Sequence, residues 1–393
     1  MPIRWIDELD IAHKRVFIRV DFNVPMKDGQ ITSDVRIQAA LPTIHHAIDQ
    51  NAKVILASHL GRPKGKPQKE FSLEPVAQRL LFYLKKEVLF SEDCTAHGNQ
   101  KIIQDMKEGD VLLLENLRFH PGEEAGSVHF ATQLSKVCDV YIDDAFGAAH
   151  RAHASVAALP KLVKEKGGGF LLKKEIEALS GLLHAPKRPF TVVLGGAKVS
   201  DKIELIKNLL PKVDTMLIGG AMAYTFLKAQ GVSIGKSLVE EDKVALAKNL
   251  LSQAQEKKVE FLLPVDHVIA QEFSETSSLK VTSESAIPEG WMGLDIGPKT
   301  IERFIQAIQK SETVLWNGPV GAFELSPFSK GTEKIAQVIS QNRGCTIVGG
   351  GDSVSAIHQL KLQFKFFHVS TGGGASLEFL EGKTLPGIAA LES

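Results

Sequence analysis

Short runs of Val, Ile, Leu and Phe recur along the chain between longer stretches whose apolar positions repeat every three to four residues. RVFIRV, KVILAS, VLLLEN and VYIDDA come first, then TVVLGG, TMLIGG, VEFLLPVD, TVLWNG, TIVGGG and FFHVSTGG. Runs that are apolar throughout, rather than alternating, are the pattern of strands covered on both faces. Between them, residues 34–51, 73–86, 202–210 and 240–257 carry a helical period. This alternation predicts an α/β fold of largely parallel sheets wrapped by helices.

At 393 residues the chain exceeds one ordinary core, since domains run to roughly 100–200 residues. The expectation is two doubly wound, Rossmann-like domains. The polar, triple-glycine stretch Lys164–Gly169 reads as the boundary, because boundaries favour such linkers. Phe170–His184, closed by Ala185-Pro186, then reads as an interdomain helix, the alternative being a plain surface helix. The plan is a first domain over 1–169, the connecting helix over 170–185 and a second domain over 186–375.

Charge narrows the partners. With 46 basic and 46 acidic side chains the net charge is zero, so no overall field draws nucleic acid or an acidic membrane, and any anion site is local. Cys94, Cys138 and Cys345 are isolated, against a disulfide framework or a cysteine zinc site. No apolar signal segment opens the chain, and no run of about 18 apolar residues occurs. These features predict a soluble cytoplasmic protein.

The arginines are unevenly placed: eight of eleven fall at or before Arg151, whereas most glycine-rich turns after strands fall beyond residue 190. Guanidinium forks suit a small, multiply charged anion, and glycine turns let a backbone approach a phosphate chain. The division suggests phosphoryl transfer between two half-sites. Arg19, Asp21 and Asn23 close one strand at alternate positions and so share a side. Arg36 opens the next helix, where a cation opposes the helix dipole unless an anion is also bound. His59 and Arg62 in SHLGRP, Arg118 after VLLLENL, and His150, Arg151 and His153 after VYIDDAFGAA all emerge where open α/β sheets bind ligands. Taken singly, each arginine is better explained by an ion pair, but five repeated strand-end placements shift the balance to an anion site; a metal pair of His150 and His153 is disfavoured because no HExxH or cysteine partner accompanies them, and His45-His46 reads as helix surface.

In the second half, LGGAK leads from a strand to Lys198 and, four residues on, Lys202, which on one helix would share a face and offer charge to phosphates. Gly349-Gly350-Gly351-Asp352-Ser353 gives a glycine cradle and a helix start, with Asp352 a Mg²⁺ partner or, alternatively, Asp352 or Ser353 a mere cap. Trp316-Asn317-Gly318-Pro319 with Glu324, and Gly372-Gly373-Gly374, add further turns. No GxxxxGK[ST], no GxGxxG with its acidic partner, and no HRD or DFG set occurs, so the phosphate-handling parts belong to some other family.

RVDFNVP, SHLGRP, ENLRF, DDAFGAAHRAHAS, LGGAKVSDK, IGGAMA, GLDIGP, LWNGPVGAFE, GGGDS and STGGGASLE, in this order, resemble the phosphoglycerate kinases over nearly the whole chain. The resemblance implies reversible phosphoryl transfer between 1,3-bisphosphoglycerate and MgADP, with hinge closure of two domains. Asp21, Asn23, Arg36, His59, Arg62, Arg118 and Arg151 would hold 3-phosphoglycerate, His59 and the arginines neutralising its phosphate, with Arg36 nearest the transferring group and Arg19 less directly involved. Lys198 and Lys202 would meet the ATP or ADP phosphates, with Gly350, Gly351, Asp352 and Ser353 around the phosphate chain and Mg²⁺. Asn317 and Glu324 would lie near the ribose, and Gly219, Gly220, Gly293 and Leu294 would form the adenosine pocket. It further implies a monomer whose tail, 376–393, returns to the first domain. Ala221, where many members carry glycine, puts the shape of the adenine slot in question, and Val354 stands where alanine is frequent.

On this reading Arg36 and Lys202 are the catalytic pair, and no general base is needed because the attacking carboxylate is already ionised at pH 7. Two rivals remain. Another acid kinase would need fewer arginines, and a catalytically silent nucleotide-binding protein would be expected to have lost Arg36, Lys202 or Asp352, all of which are present.

Overall fold

The computed structural model describes residues 2–392, apart from the side chains of 96–98. Two compact units form: one runs to Glu177 and takes back the chain from Thr384, the other spans Ala178–Lys383. The division falls inside the helix Phe170–His184.

The first unit contains β1 (Arg15–Val20), a small hairpin of β2 (Met26–Lys27) and β3 (Gln30–Ile31), then β4 (Lys53–Ala57), β5 (Val88–Ser91), β6 (Val111–Leu114), β7 (Val140–Asp144) and β8 (Glu165–Gly168). Its sheet has the order β5-β6-β4-β1-β7-β8 and is parallel throughout. Val16, Ile18 and Val20 face one core with Ile37, Ile44 and Leu56, while Phe17 stacks on Tyr141 across the other face. Both faces are therefore covered, which is why β1 and β4 read as unbroken apolar runs. The chain lays β4, β5 and β6 on one side of β1 and then crosses to β7, so the order switches beside β1, where open sheets bind ligands.

The triple-glycine stretch is not a linker: Glu165–Gly168 is the edge strand β8, paired with β7. Its glycines answer to packing, since a Cβ on Gly167 would lie 2.4 Å from the Arg4 carbonyl, one on Gly168 2.6 Å from the Trp5 ring and one on Gly169 2.2 Å from Asp144 Oδ1. The helix that follows starts with its free amides satisfied from elsewhere. Thr43 Oγ1 accepts from Phe170 N at 2.9 Å, and Asp144 Oδ1 accepts from Leu171 N and Leu172 N at 2.9 and 3.2 Å.

The second unit holds β9 (Phe190–Leu194), β10 (Thr215–Ile218), β11 (Glu260–Leu262), β12 (His267–Ala270), β13 (Leu279–Val281), β14 (Met292–Ile296), β15 (Thr313–Asn317), β16 (Cys345–Gly349) and β17 (His368–Val369). Six form a parallel sheet in the order β11-β10-β9-β15-β16-β17. The other three make an antiparallel sheet, β13-β12-β14, absent from the sequence reading. The run VEFLLPVD splits accordingly: β11 stops at Leu262, two residues before Pro264, which cannot donate to a ladder. The helix Gly374–Leu380 also departs from expectation, since it packs on Ile203–Leu209 with Asn208 Nδ2 donating to Leu380 O at 2.6 Å, and the return to the first unit begins only at Thr384.

Candidate active site

In the first unit the arginines gather above the carboxyl ends of β1, β4, β6 and β7. Arg19, although charged, is fully buried in β1, donating from Nε to Ser155 Oγ at 2.8 Å, from Nη1 to the Val20 carbonyl and from Nη2 to His59 Nδ1 at 3.2 Å. Its remaining charge partner is Glu123 Oε1 at 4.0 Å. Arg19 thus underpins the site from below. Because His59 Nδ1 accepts, its ring proton sits on Nε2. Burial, reinforced by Arg19, Arg118 and Arg36 against the opposing pull of Asp21, drives His59 well below the usual imidazole range. His59 is therefore a neutral hydrogen-bond donor, not the cation the sequence reading made it.

Asp21 joins the two ends of the cradle. It accepts from Asn23 N at 3.1 Å and from Arg36 Nη1, placing Arg36 on the first turn of Val35–Asp49 beside β1. Burial pushes this carboxyl upward, but the positive charge packed against it, Arg36 first, holds it below the usual carboxylate range. Asn23 Oδ1 in turn accepts from Gly61 N at 2.9 Å, fixing the turn that carries Arg62. Gly61 has φ +61°, a conformation that favours glycine, and the turn leaves Arg62 exposed with no hydrogen bond or ion pair among the described residues.

Arg118 is the most unusual of the set. It is 3% exposed, yet only Nη1 has a hydrogen bond, to Gly61 O at 2.7 Å; Nε and Nη2 are buried without one, Glu124 Oε1 lying 3.4 Å from Nε in poor geometry. Burial lowers it to about 10, still charged at neutral pH. Arg151, half-buried on the turn after β7, has no side-chain partner among the described residues. His153 Nδ1 is 3.9 Å from Glu123 Oε1, and burial brings the ring down to about 4; the one group of three metal-type ligands among the described residues contains neither His150 nor His153.

The sequence reading assigned nothing to the residues that hold this cradle. Asn116 Nδ2 donates to Leu60 O and Phe71 O at 2.7 and 2.9 Å, and its Oδ1 accepts from Arg118 N at 3.0 Å. Glu123, wholly buried, accepts from Ser155 Oγ at 2.6 Å and Ser155 N at 2.9 Å. Asn116 and Ser155 stand inside ENLRF and DDAFGAAHRAHAS, which was the available signal; Glu123 sits in an acidic pair that looks like surface.

In the second unit, glycine turns after β9, β10 and β15 pack backbone to backbone. A Cβ on Gly195 would lie 1.9 Å from Pro319 O, one on Gly219 2.5 Å from Val320 Cβ and one on Gly220, at φ +67°, 2.6 Å from Gly196 N. On β14, a Cβ on Gly293 would meet Tyr224 Oη at 2.0 Å, with Leu294 half-buried beside it and its carbonyl accepting from Ala322 N at 2.7 Å. Lys198 lies in the turn rather than on a helix, because Gly196 at φ +113° delays the helix until Ser200; the shared face expected with Lys202 does not form.

Lys202 Nζ donates to Asn317 Oδ1 at the end of β15, and burial, opposed by Asp201 and Asp352, lowers it. Asn317 Nδ2 is buried without a partner, near the positive-φ turn at Gly350. That places Asn317 among the glycines of the cradle, alongside Lys202. Asp352 is exposed in the first turn of Gly351–Gln359, while Ser353 is buried and accepts Gly318 N at 2.6 Å, so it clamps the neighbouring turn instead of capping its own helix. Glu324 is exposed. Gly231-Val232-Ser233-Ile234-Gly235 has the GxSxG spacing, overlooked in the sequence, but Ser233 follows a helix and its Oγ donates to Ile287 O at 3.1 Å, so no nucleophile elbow exists.

A parallel α/β unit with a half-satisfied guanidinium cradle, followed by one with glycine turns, a lysine and a carboxylate at a helix start, defines a two-domain α/β phosphotransferase. The family model for phosphoglycerate kinase matches residues 6–383. A phosphoglycerate kinase from Anaeromyxobacter sp. (strain Fw109-5) is 58% identical with both chains fully covered, and one from Moorella thermoacetica 53% identical over 98% of each. Among solved structures, phosphoglycerate kinase from Coxiella burnetii superposes with a TM-score of 0.91 at 44% identity, covering 100% of this chain and 99% of that one. That from Pyrococcus horikoshii gives 0.82 at 32% identity over 98% of each. The chain belongs to the phosphoglycerate kinase family, and is a kinase of glycolysis. No helix among the described residues is long and apolar enough to cross a membrane.

Proposed function

We propose that the chain transfers a phosphoryl group reversibly between 1,3-bisphosphoglycerate and MgADP, giving 3-phosphoglycerate and MgATP, as a cytoplasmic monomer. The observation that carries the acid half is Arg118: its buried Nη2 has no partner and its Nε only a long ion pair with Glu124 and no hydrogen bond, which amounts to a site for a phosphate oxygen, since such groups are costly to leave unsatisfied. Arg62 and Arg151, unpartnered on neighbouring turns, add the charge that a phosphorylated carboxylic acid needs, and His59 and Asn23 add neutral hydrogen-bonding groups.

On the nucleotide half, Lys198, Lys202, Gly350, Gly351 and the unpartnered amide of Asn317 would meet the phosphates, Glu324 the ribose, and Gly219, Gly220, Gly293 and Leu294 the adenosine. Ser353 acts through the Gly318 turn. Asp352, an exposed hard oxygen donor beside this cradle, fits Mg²⁺, which when bound neutralises charge on the phosphate chain. The attacking carboxylate is ionised at neutral pH, so the protein's work is alignment and charge stabilisation by Arg36, Lys202 and the glycine-turn amides. Hinge closure of the two domains would bring donor to acceptor and exclude water from an acyl phosphate.

The test is ATP-dependent phosphorylation of 3-phosphoglycerate with Mg²⁺, coupled to NADH oxidation, with acetate as a rival acceptor. Turnover with 3-phosphoglycerate alone supports the assignment. Turnover with acetate, or MgATP binding without turnover, sinks it.

A further inference from the structure

Parallel pairing of β5 with β6, which sets Ser91 opposite Leu114, brings the turn after each strand to the same end of the sheet. Asp93 and Cys94 lie on the first turn; His120 follows the second. One ligand atom from each of Asp93, Cys94 and His120 lies within 4.8 Å of those of the other two, and His120 Nε2 is 3.4 Å from Asp93 Oδ1. We propose that these three side chains form a binding site for Zn²⁺, unconnected with the nucleotide's Mg²⁺ and with its fourth position open to water.

The donor set selects the ion. A thiolate, an imidazole and a carboxylate suit zinc, whereas Mg²⁺ prefers oxygen alone. Bonds of about 2.0–2.3 Å place ligands of a tetrahedral zinc roughly 3.3–3.8 Å apart, a spacing the Asp93–His120 pair already has and Cys94 reaches with a small side-chain adjustment. The ligands are also held in place. Thr95 N and Oγ1 donate to Asp93 at 2.8 and 2.6 Å, Ser91 Oγ donates to Asp93 O at 2.8 Å, and the His120 ring stacks on Phe130 at 5.1 Å. Cys94 is 1% exposed, while the side chains of Asp93 and His120 are 44% and 34% exposed, so an ion reaches the group from their side.

A thiol binds the metal as thiolate, so Zn²⁺ displaces the Cys94 proton: the S–H bond breaks, the S–Zn bond forms and the proton leaves to solvent, so affinity rises with pH. Occupancy would tie the turn after β5 to the turn that carries Arg118.

The full chain is titrated with Co²⁺ as a spectroscopic stand-in, in excess Mg²⁺, and the bound Co²⁺ is then competed with Zn²⁺. The expected result is one equivalent with a thiolate-to-cobalt charge-transfer band, lost in Cys94→Ser and His120→Ala, weakened in Asp93→Asn and kept in Cys138→Ser and Cys345→Ser. Independently, Zn²⁺ should slow alkylation of Cys94 in the wild type by at least about tenfold, which keeps the test valid should a variant fail to fold. No thiolate band, a band that survives His120→Ala, or one lost only with Cys345→Ser would overturn the site.

Discussion

Replacing Arg118 by Met separates binding from support. Met retains most of the buried apolar stem but loses the Nη1 bond to Gly61 O, the long ion pair of Nε with the partly exposed Glu124, and the charge. The lost bond and long ion pair cost about 1–2 kcal/mol, while removing a buried guanidinium whose Nε and Nη2 make no hydrogen bond returns a similar amount of desolvation, so the ligand-free protein should change by about 1 kcal/mol or less. Binding is another matter. Two charge-assisted bonds to a phosphate at roughly 1.5–3 kcal/mol each make 3–6 kcal/mol, and at about 1.4 kcal/mol per decade kcat/KM for 3-phosphoglycerate falls by at least about 100-fold. The readouts are urea unfolding without ligand, coupled kinetics, and the rise in Tm on adding 3-phosphoglycerate, which the variant should largely lose. A variant that unfolds about 3 kcal/mol more easily yet keeps its KM would show that Arg118 is a structural residue and refute the reasoning.

Arg36→Ala should lower kcat by at least about 100-fold with little change in the KM for MgATP, as loss of charge stabilisation at the transferring group requires; coupled kinetics in which kcat is unchanged would remove Arg36 from the chemistry. Asp144→Asn tests a buried acid. Burial raises Asp144 to about 7, so in the wild type its contribution favours folding at low pH and is lost as pH rises from the unfolded value near 4 towards 7. Asn keeps the Oδ1 acceptor for Leu171 and Leu172, so the variant should gain up to about 4 kcal/mol over wild type at pH 8 and little at pH 4; equal shifts at both would refute it. Gly195→Ala should cost at least about 2 kcal/mol, its Cβ lying 1.9 Å from Pro319 O, whereas Gly351→Ala meets nothing within 4 Å and should keep its Tm but weaken MgATP binding in calorimetry.

The central strands were legible because a strand buried on both faces has no polar register to disguise it. The edge strand Glu165–Gly168 was not, since its glycines are selected by the close approach of Arg4, Trp5 and Asp144, long-range contacts that look locally like flexibility. The three-stranded antiparallel sheet hid for a related reason, being short and, in Leu279–Val281, exposed throughout. For the site, strand ends and residue types located the arginines. What they could not supply was how each is satisfied: that Arg19 spends its donors inside the protein while Arg118 keeps two in reserve, or that His59 is neutral, depends on partners 40 to 136 positions away.

The ten-residue return has a consequence for how the enzyme is made. Gly387 N donates to Ala149 O at 2.9 Å, and Ala390 and Leu391 are buried in the first unit, on the segment that follows Arg151. A ribosome working from the N-terminus has translated every arginine of the cradle by residue 151, yet the fold around them is incomplete until the segment from Thr384 onward has been made and released. A message cut short by a late stop codon would thus yield a protein with every proposed site residue and an unfinished first domain, and the nascent chain must hold that exposed patch throughout synthesis of the second.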